Sequence, residues 1–290
     1  MRREATPHQD RLAAAAGRPP ALSTTGKARL WLRITMLTGL ACVTVPLHYL
    51  WRLFRRSSPW PRVFLGRAGR ISGARVSVQG VPLGRDVFYV SNHVSWIDIP
   101  AIAGASGTAF VAKAEIRDAP VVGWLSSLNR TVFVERENRL GVAGQIDALR
   151  STLAKNWSVT VFPEGTTEDG RSLLPFKTSM LKVLEPPPPG VRVQPVLIDY
   201  GAVGEEIAWI GDESGKANAA RVLARAGNFL VTVHFLEPFH PHDYPGRKAI
   251  AAESRRRIEA ALGAVIGGAV PAFIGHDAWA RRADEAAVLP

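Results

Sequence analysis

Residues 87–101 read VFYVSNHVSWIDIPA. Val87 to Val90 are four apolar or aromatic residues in a row, the pattern of a strand buried on both faces. Ser91-Asn92-His93 follows as a polar exit, and Pro100 opens a helical pattern. On one continuous helix His93 and Asp98 would point about 140° apart, at 3.6 residues per turn. On a strand–turn–helix the aspartate folds back from the helix start to meet the histidine at the turn. The imidazole then accepts a proton at one nitrogen and donates its other N–H to the carboxylate, as acyl-transfer chemistry requires. The competing reading is a solvated turn histidine beside a helix-capping aspartate.

Other runs repeat the style of this strand: ARVSVQG, TAFVAK, RTVFVE, SVTVFP, VRVQPVLI and FLVTVHFLEP. Helical patterns lie between several of them, notably over residues 138–155 and 247–266. Alternating strands and helices predict an α/β fold, a sheet flanked by helices. PPPPG at 186–190 reads as a rigid connector within that domain.

At 290 residues, with 47% hydrophobic residues, the chain buries a full core. Its net charge of +11 is unevenly placed. Residues 1–75 hold 14 Lys and Arg and 2 acidic residues, leaving 22 of the 36 basic and 23 of the 25 acidic residues for the rest. A nucleic-acid binder carries its basic stripe on the folded domain, so no nucleic-acid partner is expected. The single cysteine excludes an internal disulfide and a cysteine-rich metal site.

Within the basic quarter, ITMLTGLACVTVPLHYLW (34–51) has no charged residue other than histidine. Its length is at the lower edge of what crosses a bilayer. Arg29 and Arg33 precede it, Arg52, Arg55 and Arg56 follow, and Trp31, Tyr49 and Trp51 suit the headgroup level. It reads as a membrane-embedded segment, spanning or half-inserted at Pro46, against the alternative of a buried core helix. The expected organisation is a mobile tail over 1–25, a membrane-anchoring helix over 26–58, a catalytic domain over 59–266 and a C-terminal tail over 267–290.

VTVFPEGTTEDG (159–170) is a second strand entering a turn. Gly165 permits close approach of a ligand, and the N–H groups of residues 165–167 suggest an anion nest. Arg136, in RTVFVERENR, follows a third strand, where a guanidinium can fork onto a phosphate or carboxylate. His234, His240, His242 and Asp243 match no zinc spacing, so no metal is expected. GDESGKAN fails the phosphate-loop pattern, and no G-x-S-x-G elbow occurs.

Four of these stretches together resemble the lysophospholipid, or glycerolipid, acyltransferases. NHVSWID is similar to their N-H-x(4)-D motif, RTVFVER to their second block, FPEGTT to their third and VQPVLI (193–198) to their fourth. The resemblance covers roughly residues 60–240. It implies a glycerolipid acyltransferase-like mixed sheet and a catalytic His93–Asp98 pair, with His93 as general base. Arg136, Glu164, Gly165 and Thr166 would hold the acceptor's polar head, and Lys113 would aid the thioester oxyanion. The implied cosubstrate is acyl-CoA or acyl-carrier protein, with no cofactor and no metal. The implied partners are membrane lipids and a lysolipid acceptor, on the cytoplasmic side of a bacterial inner membrane.

Two departures bear on the acceptor. Arg130 stands where the second block opens with Gly, and Thr167-Glu168 replace the Arg-Ser of the third. FPEGTTEDG is closest in style to the lyso-ornithine lipid acyltransferases, so lyso-ornithine lipid is the expected acceptor. The alternative is 1-acylglycerol-3-phosphate, with Lys177, Arg130 or Arg171 supplying the lost charge. A non-catalytic lipid-binding protein and a thioesterase are the competing classes.

Overall fold

A computed structural model describes residues 7–55, 57–134, 142–155 and 158–279. Seven strands form one sheet: β1 (Ala74–Gln79), β2 (Val87–Ser91), β3 (Ala109–Lys113), β4 (Val132–Val134), β5 (Ser158–Val161), β6 (Arg192–Asp199) and β7 (Phe229–Phe235). Their order is β1-β7-β6-β2-β5-β3-β4. Every pair is parallel except β6–β7. The register pairs Val90 with Val161 and Ser91 with Val196. The carboxyl ends of β2, β5 and β6 therefore share one edge of the sheet, and the chain leaves that edge at His93. This is the mixed sheet expected of the resemblance.

The described helices are α1 (Pro7–Ala15), α2 (Thr24–Leu53), α3 (Trp60–Ile71), α4 (Asp98–Ser106), α5 (Pro120–Leu128), α6 (Val142–Ala154), α7 (Gly204–Ile207), α8 (Gly215–Ala224) and α9 (Gly246–Ile266). β2 is central and buried throughout, as its unbroken apolar run requires. Tyr89 faces a cluster with Ile97, Ile102 and Val233; Phe88 and Val90 face another with Leu149, Val159 and Leu181. α3 packs closely on α4, where a Cβ at Gly104 would lie 2.7 Å from Gly66 Cα.

α2 is long and apolar enough to cross a membrane, and 11% of its most apolar stretch is buried. A core helix would be mostly buried, so α2 is a candidate membrane segment. It is also tied to the domain. Arg29 donates to Ala224 O (2.6 Å), and Arg33 donates to Leu223 O (3.0 Å) and Gly227 O (3.2 Å). These guanidinium groups meet carbonyls at and just past the C-terminus of α8, where cations are favoured.

Part of the segment expected as a mobile tail is folded. α1 buries Leu12, Ala14 and Ala15, and Arg11 donates to Glu205 O (2.8 Å). Its burial uses small side chains at close approach, which no long apolar period announces. The expected C-terminal tail likewise contributes Trp279, which is buried, and His276, whose Nδ1 accepts from Gly211 N–H at 3.0 Å.

Candidate active site

Asp98 opens α4 and turns its side chain back over the preceding loop. Its Oδ2 accepts from Val94 N–H (2.7 Å) and Ser95 N–H (3.0 Å) and lies 2.8 Å from His93 Nδ1. Its Oδ1 accepts from Tyr200 O–H at 2.5 Å. A carboxylate only accepts, so His93 Nδ1 carries the proton and Nε2 is left as the acceptor nitrogen. Asp98 is fully buried, while His93 keeps 19% of its side chain exposed. One face of the imidazole stacks on Phe162 at 4.0 Å, and Phe162 in turn stacks on Phe110 at 6.0 Å. The ring is thus fixed by one aromatic wall and one hydrogen bond to a buried carboxylate.

Tyr200 escaped the sequence reading. It lies two residues past the fourth motif block, yet only the fold brings it to Asp98. Burial, and next to it the Asp98 charge, push its hydroxyl well above the ordinary tyrosine range, so it stays a donor. Tyr200→Phe is expected to lower the catalytic rate about tenfold and stability by about 1 kcal/mol, measured by initial rates and denaturant unfolding. A rate unchanged within twofold would separate Tyr200 from the pair.

Asn92 locks the histidine turn to β6. Its Oδ1 accepts from Ile198 N–H (2.7 Å), and its Nδ2 donates to Ile198 O (3.1 Å) and Glu168 Oε1 (3.3 Å). Glu168 N–H donates to His93 O at 2.7 Å, joining the two motif loops directly. Glu168 is fully buried and also accepts from Gly170 N–H. Thr167 is buried too and donates to Trp209 O. The two residues that depart from the third block are therefore built into the interior.

Gly165 has φ +79°, a left-handed turn position suited to glycine. Its N–H donates to Phe162 O (3.1 Å), closing the turn, so the expected anion nest is not formed from it. Thr166 is exposed, with its hydroxyl 3.4 Å from His276 Nε2. Lys113 is exposed at the carboxyl end of β3, on the strand that carries Phe110. Arg136 lies outside the described residues. Arg130 is turned away: it donates to Gly107 O, before the start of β3 and at the opposite end of the sheet from His93. It cannot replace a phosphate ligand beside the histidine.

Glu164 is buried with no well-aligned hydrogen-bond partner among the described residues, although it faces Leu174 and His93 N–H groups. Burial pushes its carboxyl well above the ordinary value of 4.5. Burial and the neighbouring Glu164 and Asp169 raise Glu168 likewise. A carboxyl raised by folding favours the folded state least at high pH. Unfolded Glu164 releases its proton near 4.5, while folded Glu164 keeps it, so stability falls as pH rises above 4.5 toward the raised value. Glu164→Gln is expected to gain on wild type as pH rises from about 4.5 to 8, read as the difference in Tm. A constant difference across that range would show an ordinary Glu164.

A histidine–aspartate pair at the carboxyl edge of an α/β sheet, braced by a buried tyrosine, can take a proton from an attacking hydroxyl and return it to a leaving group. The acyltransferase family model matches residues 75–199, which contain Asn92, His93 and Asp98 and end one residue before Tyr200. The lyso-ornithine lipid O-acyltransferase of Brucella abortus is 32% identical over 266 residues, covering 85% of this chain and 98% of that protein. The 1-acyl-sn-glycerol-3-phosphate acyltransferase of Neisseria gonorrhoeae is 33% identical over 141 residues, covering 49% and 51%. The crystal structure of the 1-acyl-sn-glycerophosphate acyltransferase from Thermotoga maritima shares the fold, with a TM-score of 0.60 and 24% identity over 82% of this chain and 95% of that one. The chain belongs to the acyltransferase family and is an acyltransferase.

Proposed function

We propose that the protein moves a fatty acyl group from an acyl-CoA or acyl-carrier-protein thioester to the free hydroxyl of a lysolipid. The observation that carries the mechanism is the 2.8 Å His93 Nδ1–Asp98 Oδ2 contact, which leaves Nε2 as the base. Nε2 takes the acceptor hydroxyl proton as the oxygen attacks the thioester carbonyl. A tetrahedral intermediate forms, the C–S bond breaks, and the thiolate receives the proton from Nε2. Asp98 stabilises the imidazolium in between. In this reading Lys113 aids the oxyanion, and Arg136, Glu164, Gly165 and Thr166 are the residues assigned to the head group.

Lyso-ornithine lipid, or a similar amino-acid lipid, is the favoured acceptor. The relative of that name matches over nearly its whole length. The third block also offers no guanidinium: Thr167 is buried against Trp209 O. A phosphate monoester carries up to two negative charges and is best held by a bidentate arginine. A zwitterionic head demands less. The second reading is 1-acylglycerol-3-phosphate, with exposed Arg171 or Lys177 as the cation. Both thioester donors are cytoplasmic, so the site faces the cytoplasmic side of the inner membrane, held there by α2. Initial rates on the two lysolipids at equal concentration test the choice. A ratio favouring lyso-ornithine lipid is expected; a ratio favouring 1-acylglycerol-3-phosphate overturns it.

A further inference from the structure

The third-block turn, residues 162–168, touches His93 at both of its ends. The Phe162 ring stacks on the imidazole at 4.0 Å, and Glu168 N–H donates to His93 O at 2.7 Å. Thr166 is the exposed residue between these two anchors, so its hydroxyl stands on the open side of a turn that is fastened to the histidine.

That hydroxyl is met by a residue well beyond the family match, which ends at residue 199. The chain after α9 folds back onto the domain. Phe273 packs on the core cluster that holds Ile97 and Tyr200, and Trp279 is buried. Between them His276 meets the Phe273 ring edge-on at 5.2 Å. Its Nδ1 accepts from Gly211 N–H at 3.0 Å, its Nε2 is 3.4 Å from Thr166 Oγ1, and the ring also faces the Thr167 backbone. Gly211 belongs to the loop after α7, which reaches the catalytic turn as well. Trp209 N–H donates to Val94 O at 3.0 Å, and Trp209 O accepts from Thr167 O–H. His276 thus bridges two loops, each in contact with the turn that carries His93.

These contacts fix the proton. A nitrogen that accepts from a backbone N–H carries none, so the neutral ring holds its proton on Nε2. Burial lowers the pKa of the ring from the ordinary 6.5, which keeps it neutral at pH 7. Nε2–H is then the donor and Thr166 Oγ1 the acceptor. A hydroxyl that accepts in this way has its own hydrogen left to donate.

We infer that His276 is a positioning residue for the acceptor, holding the Thr166 hydroxyl as a hydrogen-bond donor to an oxygen of the lysolipid head. The inference rests on the lysolipid reading above. An amino-acid head offers such an oxygen in its carboxylate or amide, and a glycerophosphate head in its phosphate; an ammonium, which only donates, is not the group met here. His276 acts through Thr166 and not on the His93–Asp98 pair, so its loss falls on acceptor binding.

The test uses the full chain in detergent micelles, with lyso-ornithine lipid and 1-acylglycerol-3-phosphate offered in turn and acyl-CoA or acyl-carrier protein as donor. His276→Ala is expected to raise the KM of the preferred lysolipid about tenfold, with kcat and the thioester KM within about twofold of wild type. His276→Gln, whose amide keeps an N–H donor near the position of Nε2, should recover most of that loss. Thr166→Ala should raise the same KM, and adding His276→Ala to it should cost nothing further. If His276→Ala fails to fold, His276→Asn replaces it: it keeps an acceptor for Gly211 N–H, brings no donor to Thr166, and should show the same rise. An unchanged lysolipid KM overturns the inference. So does an equal rise in both KM values or a fall in kcat alone, either of which marks a general structural role, and so does full additivity with Thr166→Ala. If wild type acylates neither lysolipid, the lysolipid reading fails and the inference with it; an active wild type matched by His276→Ala sinks the inference alone.

Discussion

His93→Ala is expected to lose at least about a hundredfold in the acyl-transfer rate, the usual contribution of a positioned general base. The fold should survive. The ring is partly exposed, and Asp98 keeps Val94 N–H, Ser95 N–H and Tyr200 O–H as donors when the imidazole is gone. The packing lost is one stacked face on Phe162. A purified variant with a Tm within a few degrees of wild type and more than about a tenth of its rate would remove His93 from the base role.

Asp98 separates structure from chemistry through two substitutions. Asp98→Ala strips the acceptor from two buried backbone N–H groups and from Tyr200. An unsatisfied buried donor costs about 1–3 kcal/mol, so a loss on the order of 3 kcal/mol is expected together with loss of activity. Asp98→Asn can keep its amide oxygen toward Val94, Ser95 and His93, and turn its NH2 toward the Tyr200 oxygen. Its stability cost should be smaller than that of alanine. The negative charge that steadies an imidazolium is gone, so the rate should still fall about a hundredfold or more. Equal stability losses for the two variants, or an active Asp98→Asn, would contradict the assigned geometry. Urea unfolding and steady-state rates on the same preparations give both quantities.

The central strand and the histidine turn were legible in sequence because both are local. An unbroken apolar run specifies a doubly buried strand, and a five-residue separation meets only on a strand–turn–helix. All seven β-branched runs became strands for the same reason. What failed to show depends on contacts distant in the chain. Tyr200 and Asn92 act through partners about a hundred residues away. The inward turn of Thr167 and Glu168 is invisible in a motif whose composition suits a surface turn. Thr167→Arg would consequently force a large cation into a buried site rather than install a phosphate ligand. α1 was hidden because alanines pack closely without an amphipathic stripe, and Arg11 gives it the appearance of a basic tail.

The most direct measurement is the stoichiometry of a single reaction. Purified full-length protein is incubated with acyl-CoA or acyl-carrier protein and lyso-ornithine lipid, and free thiol is followed while lipid products are identified by mass spectrometry. One acylated lipid per thiol released, with both abolished together in His93→Ala, is the predicted result. Thiol release matched by free fatty acid, or no acylated lipid from any lysolipid offered, would contradict it.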